Sequence, residues 1–387
     1  METQQELEDT ADLAPELHDP ERASLIEKIS ELAGIKTVDS ATWACLWLAD
    51  LERLHELLNQ FDQNRPGLVY SALTTVENAR MLRSWAARSR TRFSDDDFQP
   101  IASKRSFEAS QSETTSVDEP IPLAGTTSSS SLAGRSEKAK KLCLFRDKGT
   151  CLISNASEPV EVCHVFPYTM GKPTGDAKTL FWGILSTFWT TAKVDKWKAQ
   201  VFGEQRTEIV ENLITLCANA HRLWGRARFA FQPVDLSADK KTLTMRFFWL
   251  PNRRFTKRQC ISEPPNFPAT LESGAGNAKF FDHSTDQKIW SNHQIVVTTD
   301  DPVSKPLPSM ELLRMQWTLN RLIAISGAAD VDEDEIDSDD DESTAVAMER
   351  QHSQENQPFS AGPARTPRPS SKTRESIILP HRPASLR

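Results

Sequence analysis

The chain has 387 residues, of which 38% are hydrophobic, and its formal net charge at pH 7 is −8. Its mean hydropathy is −0.50, and no run of about 18 apolar residues occurs, so no membrane span is expected. Six cysteines without a CxxC pair exclude a disulfide scaffold, and the acidic N-terminus lacks the features of a signal peptide. These features predict an intracellular protein, nuclear or cytoplasmic.

The charge is distributed unevenly along the chain. Residues 137–258 contain 21 Lys or Arg and 11 Asp or Glu, an excess of ten positive charges. By contrast, ten of the thirteen residues 330–342 are Asp or Glu. A basic middle region inside an acidic chain suits a polyanionic partner such as nucleic acid, although an ordinary basic domain has the same composition.

The N-terminal part predicts a disordered segment over 1–19 followed by a helical region over 20–90. Apolar residues at helical spacing predict three amphipathic helices, over about 25–33, 39–58 and 75–88. Arg65-Pro66-Gly67 is expected to end the second of them. Helices of this kind can pack on themselves, on the next domain or on a protein partner.

Two long segments have the composition of disordered chain. Residues 91–136 are rich in Ser, Thr, Asp and Glu and are predicted to form a disordered linker. Residues 328–387 combine the acidic run with a Ser/Pro/Arg-rich tail and are also predicted to be disordered. The region between them, 137–327, is therefore expected to be the main folded domain.

Within this domain we expect short strands at 151–153 and 160–166, paired antiparallel through the loop between them. A long insertion follows, in which apolar residues recur at helical spacing. Its large side chains are predicted to form core, namely Phe181, Trp182, Leu185, Phe188, Trp189 and Trp197. Trp290 and Trp317 are also predicted to be core residues. The sequence thus predicts an α+β fold.

Three polar residues stand out from their apolar surroundings. His164 lies in an apolar, β-branched stretch, Asn212 precedes another apolar run, and His221 follows Asn212 by nine residues at the start of a helical pattern. A neutral imidazole is a suitable general base near pH 7, and a divalent cation can stabilise a phosphate that is being cleaved. This ordered set is therefore suited to phosphodiester hydrolysis.

Several short segments resemble the HNH endonuclease domain in order and spacing. They are Arg146-Asp147 with Cys151, residues 162–167, residues 211–216 and residues 221–224. The version they resemble most is the one found in uncharacterised fungal proteins, and the resemblance covers about 140–327. It implies a ββα-metal core with a helical insertion, and metal-dependent endonuclease activity on DNA.

The resemblance also implies roles for individual residues. His164 matches the general base, Asn212 the middle residue of the motif and His221 the metal-binding histidine, with Asn212 as a possible oxygen ligand. Many members have Asp, Glu or His before the first histidine, where this chain has Cys163, whose thiolate suits Zn²⁺ better than Mg²⁺. Glu161 is a candidate substitute ligand. The expected cofactor is a divalent ion: Mg²⁺, Mn²⁺, Zn²⁺ or Ni²⁺.

Other readings of these residues remain open. The HNH scaffold could bind nucleic acid or protein without catalysis. The predicted nucleic-acid contacts are Arg222, Arg253, Arg254, Lys257 and Arg258. The last four could equally form a nuclear import signal or a solvated surface. A structural zinc site is a less favoured reading of Cys151, Cys163, Cys217 and His221, because their spacing has no CxxC pair and small core cysteines are commoner.

Overall fold

A computed structural model describes residues 14–86, 136–171, 175–202, 207–268 and 271–330. All of them lie within the unit formed by residues 1–337. The predicted linker up to residue 135 and the predicted tail from residue 331 lie outside the described residues. Among the described helices, none combines the length and the apolar character that crossing a membrane requires.

The structure contains ten α-helices and nine strands within the described residues. The helices are α1 Pro20–Ala33, α2 Ser40–Leu48, α3 Leu51–Asp62, α4 Pro66–Thr74, α5 Glu77–Ala86, α6 Glu137–Arg146, α7 Gly175–Phe188, α8 Thr191–Val201, α9 Ala218–Gly225 and α10 Met310–Ser326. The strands are β1 Thr37–Val38, β2 Val160–His164, β3 Leu213–Cys217, β4 Phe229–Leu236, β5 Thr242–Trp249, β6 Gln259–Cys260, β7 Phe280–Asp282, β8 Gln287–Ile289 and β9 His293–Thr298.

The N-terminal region is helical as predicted, but its segmentation differs. The predicted helix over 39–58 is divided into α2 and α3, because Asp50 turns to receive hydrogen bonds from Thr190 and Lys193 at the start of α8. Helix α4 was not predicted separately. The predicted disordered segment, 1–19, is too long, because Pro15–His18 forms a 3-10 helix in which Leu17 is buried.

The strands pair differently from the prediction in one respect that matters for the site. Residues 151–153 form a turn, so the predicted first strand is wrong. The partner of β2 is instead β3, which lies beyond helices α7 and α8. The Leu152 N–H donates to the carbonyl of Thr215, so the turn runs along the outer edge of β3. The other described sheets are β4-β5-β9, β1-β6 and β7-β8, all antiparallel.

Helix α10 lies at the centre of the core and is buried along nearly its whole length. It begins at Ser309, whose hydroxyl accepts a hydrogen bond from Leu312 N–H, and it ends at Gly327 with a φ of 75°. A Cβ at Gly327 would lie 2.3 Å from the backbone of Arg254, so only glycine fits this position. Trp85 donates to Asn320 at 3.0 Å, which joins the N-terminal helices to α10. The helical region and the middle region therefore share one core.

The predicted aromatic core is mostly confirmed. The six large residues of the insertion are all buried, and so is Trp317. Trp290 is 48% exposed, so its prediction as a core residue is wrong. Its ring instead lies 4.4 Å from the ammonium of Lys288 at the surface. The last residues of the core also extend beyond the predicted domain end, because Ala328 and Ala329 are buried.

Candidate functional site

The candidate site is built on the antiparallel pair β2–β3. Val162 pairs with Thr215 and His164 with Leu213, so the register is continuous over five residue pairs. Because side chains alternate along a strand, the pair has two distinct faces. His164 and Val162 lie on one face, which packs against α6. Cys163 lies on the other, together with residues of the main core.

On the α6 face, a buried ion pair secures the outer edge of β3. Asp147 receives a hydrogen bond from Arg146 at 2.7 Å and another from the Thr215 N–H at 2.9 Å. Arg146 also donates to the carbonyls of Val210 and Leu213. Both charged side chains are 0% exposed. Burial alone would lower the pKa of Arg146, but the neighbouring Asp147 carboxylate outweighs it and raises that pKa, so the guanidinium stays charged.

His164 stands at the end of β2 and is oriented by a carboxylate. Its Nε2 lies 2.6 Å from Oε1 of Glu208, and the two side chains are 12% and 18% exposed. The other carboxylate oxygen of Glu208 accepts the Ser136 N–H at 2.7 Å, at the start of α6. The ring also lies beside Tyr168, at 5.8 Å between centroids. Within the described residues no group hydrogen-bonds Nδ1 of His164, so this nitrogen is available to a water molecule.

Asn212 holds the two segments that carry this histidine and its carboxylate. Its side-chain oxygen accepts the Phe166 N–H at 2.7 Å, and its amide donates to the carbonyls of Phe166 and Thr207, each at 3.0 Å. Phe166 follows His164 by two residues, and Thr207 precedes Glu208. Asn212 is 0% exposed. Its amide is therefore occupied by the backbone, which is a positioning role and not that of an accessible oxygen ligand.

On the α9 face, the neighbouring Cys163 is a core residue. It is 1% exposed and belongs to the same apolar cluster as Ile214, Leu216 and Trp224. Burial raises the pKa of its thiol well above the usual value, and the charge of Glu161 acts in the same direction. A metal ligand must be the thiolate, so this environment opposes the predicted role of Cys163.

His221 is oriented by a second carboxylate at the edge of the α9 face. Its Nδ1 is hydrogen-bonded to Oε2 of Glu161, and the two side chains are 28% and 50% exposed. Within the described part of the chain, no group hydrogen-bonds Nε2 of His221. Glu161 and His164 are three residues apart on β2, a rise of about 10 Å, and lie on opposite faces. The two histidines are thus not brought together on one face of the pair.

The donors around His221 fit a weakly held divalent ion better than a closed zinc site. The described residues contain no cluster of three or more His, Cys, Asp or Glu that could hold a metal ion. Within the predicted set, Cys163 is a buried thiol and the amide of Asn212 is held by the backbone, so His221 is the member that is left to bind a metal. An imidazole backed by a carboxylate fits an ion that completes its shell with water and phosphate oxygens. Cys151 is 0% exposed, as expected for the core reading.

The structure separates the predicted nucleic-acid contacts into two places. Arg222 is exposed next to His221. The segment 253–258 lies elsewhere, because Thr256 contacts Ser40 at the start of α2 and Arg254 abuts the end of α10. The start of α10 meets the site, since Ser309 N–H donates to the carbonyl of Glu211. The 17 residues of α10, a length of about 25 Å, therefore separate this basic segment from Asn212.

A comparison with known proteins assigns the region around β2, β3 and α9. Residues 151–232 match the family model described as HNH endonuclease. Over these 82 residues, about a fifth of the chain, the sequence is similar to the HNH endonuclease domain. No curated protein and no solved structure matches the chain significantly. The matched region of the HNH domain includes His164, Asn212 and His221, and it begins after α6 and the Arg146–Asp147 pair.

Sequence reasoning missed one residue of the HNH domain site. Glu208 lies 44 residues after His164 and four residues before Asn212, in a stretch without a recognisable motif. The only sequence signal is a carboxylate four residues before Asn212, and this signal is weak. It becomes meaningful once β2 and β3 are known to pair, because the pairing brings this segment next to His164. Glu161 was considered as a metal ligand, whereas the structure shows it hydrogen-bonded to the ring of His221.

Proposed function

We propose that this protein is a metal-dependent HNH endonuclease that hydrolyses phosphodiester bonds in DNA. The observation that carries the proposal is the His164–Glu208 pair inside the matched HNH region. Tying Nε2 to a carboxylate favours the tautomer in which Nε2 carries the proton and Nδ1 has a free lone pair. This is the state that a general base needs.

In the proposed reaction, Nδ1 of His164 takes a proton from a water molecule whose oxygen attacks the phosphorus. A bond forms between this oxygen and phosphorus, and the bond from phosphorus to the leaving sugar oxygen breaks. Glu208 stabilises the imidazolium that results, as an orienting carboxylate does in other hydrolases. Asn212 keeps the segments around His164 and Glu208 in place and does not itself touch the substrate.

The proposed cation ligand is Nε2 of His221, with Glu161 holding the ring by its Nδ1. A divalent ion at this position supplies charge stabilisation for the phosphate and the leaving oxygen. Carboxylates that hold ligating imidazoles tune both ring orientation and basicity, and this is the role we assign to Glu161. An imidazole nitrogen suits Zn²⁺ and Ni²⁺, whereas Mg²⁺ prefers oxygen ligands and would be held mainly through water and phosphate oxygens.

The test is nicking of supercoiled plasmid with Mg²⁺, Mn²⁺, Zn²⁺ or Ni²⁺, using the full chain. We expect His164→Ala to lower the nicking rate about 10²- to 10⁴-fold, the usual contribution of a general base. The matched control is His55→Ala, because His55 is exposed and its only described partner is Glu21 on the neighbouring helix. Equal nicking rates in the wild type and His164→Ala would reject the proposal. An equal loss of nicking in His164→Ala and in the control His55→Ala would also reject it.

A second candidate function is supported by the geometry of the β2–β3 pair. His164 and Glu161 lie on opposite faces of β2, and the described residues contain no larger donor cluster. This arrangement favours an HNH scaffold that binds nucleic acid or protein without cleaving it. Salt-sensitive DNA binding with no nicking in any of the four metals would support this candidate over the nuclease.

A further inference from the structure

Helix α6 presents a basic stripe that ends in an exposed aromatic ring. Lys138, Lys141 and Phe145 recur at intervals of three and four residues, so they share one face of the helix, and Lys148 continues the spacing in the following turn. The three lysines are exposed. Phe145 is 68% exposed, which is unusual for a large apolar side chain.

The stripe borders an open groove. The groove has a volume of about 900 Å³ and is lined by Lys141, Phe145 and Lys148 on one side and by residues 298–300 on the other. This volume lies in the usual range of about 300 to 1,000 Å³ for ligand sites. It is large enough to admit a nucleotide.

One face of the Phe145 ring is covered by Lys305, and the other face is open for stacking. The ammonium of Lys305 lies 4.2 Å from the ring centroid, a cation–π contact that polarises and positions the ring. With most of the side chain exposed, the opposite side of the ring is open to solvent. An aromatic ring flanked by lysines is the combination with which proteins bind unpaired nucleotides, because the ring stacks on a base while the ammonium groups contact phosphates.

The acidic groups beside the groove do not cancel this basic character. Asp300 is paired with Lys305 at 2.6 Å, and Asp301 accepts the N–H groups of Val303 and Ser304. On the helix, Glu137 lies four residues before Lys141 and therefore borders the stripe, and its carboxylate is 4.0 Å from the ammonium of Lys140. Among the described groups bordering the groove, the lysines of the stripe outnumber the acidic groups that have no close partner.

One end of the stripe lies near the candidate site. Helix α6 begins at Ser136, whose N–H donates to Glu208, the carboxylate that orients His164. Its ten residues span about 15 Å, and Phe145 lies near the other end of the helix. A single strand a few nucleotides long covers this distance.

We propose that the Lys138–Lys141–Phe145–Lys148 stripe of α6 binds single-stranded DNA and leads it to His164. The inference deepens the proposed nuclease function and rests on it for the direction of the strand. An unpaired strand is required because the bases of an intact duplex are stacked on each other and cannot stack on Phe145. The occupant is therefore a single-stranded end, gap or loop of DNA.

The test is fluorescence anisotropy of a labelled oligothymidylate bound to the full chain in EDTA, so that binding is measured without cleavage. We expect Phe145→Ala to weaken binding about 10- to 100-fold, the range for loss of one base–aromatic stack, and Phe145→Trp to keep it. Lys141→Gln with Lys148→Gln should lower the dependence of log K on log salt by about 1.4, or about 0.7 per lost phosphate contact.

The control is Arg254→Gln with Lys257→Gln, which removes the same charge from the segment at the far end of α10 from Asn212. Unchanged binding in Phe145→Ala, an equal loss in the control, or no binding by the wild type would overturn the inference. Plasmid nicking by the wild-type chain, measured in parallel, separates the two proposals. Phe145-dependent binding without any nicking by the wild type would uphold this surface and reject the nuclease.

Discussion

The two faces of the β2–β3 pair differ in how they hold the residues of the candidate site. The α6 face is the more polar one: beside a small apolar cluster that includes Val162 and Leu213, it holds the buried Arg146–Asp147 ion pair and the hydrogen bond between His164 and Glu208. The α9 face is apolar, and Cys163 is packed with Ile214 and Leu216. Adjacent residues on one strand thus lie in opposite environments. The difference shows that chemistry on this strand depends on which face a residue occupies and not only on its place in a motif.

The largest effect is expected where the polar face is most deeply buried. Asp147→Ala leaves the guanidinium of Arg146 buried without its counter-charge, and loss of one partner of a buried pair typically lowers the free energy of unfolding by about 3 to 5 kcal/mol. Urea denaturation measures the change. The double variant Arg146→Met with Asp147→Ala should be less unstable than Asp147→Ala alone. A single variant as stable as the wild type would show that the polar face is not held by this pair.

The same comparison shows what could be predicted from the sequence. His164, Asn212 and His221 were identified from residue type and spacing, because β2, β3 and α9 each carry a strong local pattern. The partner of β2 was not identified, because pairing depends on tertiary contacts across an insertion of two helices. Glu208 and the outward aromatic Phe145 were missed for the same reason, since neither has a local signature.

The helical region was also easier to predict in outline than in detail. Apolar periodicity identified helices there, because α1 and α5 each bury one face. Periodicity does not predict the break after α2. The break arises because Asp50 accepts a hydrogen bond from the Thr190 N–H at the start of α8, 140 residues away. Nor does it separate the core tryptophan Trp317 from the surface Trp290, because both occur in mixed surroundings.

The next effect concerns the residue that positions the polar face. Asn212→Ala leaves the Phe166 N–H and two carbonyls without partners in the core, and each unsatisfied group costs about 1 to 3 kcal/mol. We expect a lower melting temperature together with a fall in kcat and little change in oligonucleotide affinity. Asn212→Asp keeps the oxygen that accepts from Phe166, so it should recover part of the stability. Normal kcat in a folded Asn212→Ala protein would contradict the positioning role.

A smaller effect is expected at the edge of the apolar face. Glu161→Gln weakens the hydrogen bond that orients the ring of His221, and loss of such an outer carboxylate typically lowers metal affinity about 10- to 100-fold. Mn²⁺ binding measured by electron paramagnetic resonance gives the affinity. Glu158→Gln is the matched control, because Glu158 is an exposed carboxylate in the preceding loop. Equal Mn²⁺ affinity in the wild type and both variants would leave Glu161 without a role in metal binding.

The smallest effect is expected at Cys163, and it separates the two faces most directly. As a core residue, Cys163→Ala should lower the free energy of unfolding by about 1 kcal/mol, and Cys163→Ser by about 1 to 3 kcal/mol because it buries a hydroxyl. Cys260→Ser, at an exposed cysteine, should change little. A thiolate ligand would give another pattern, in which both Cys163 variants lose Zn²⁺ affinity. We expect that affinity to stay unchanged, because the raised pKa keeps this thiol protonated and the apolar face excludes the charge that a metal ligand must carry.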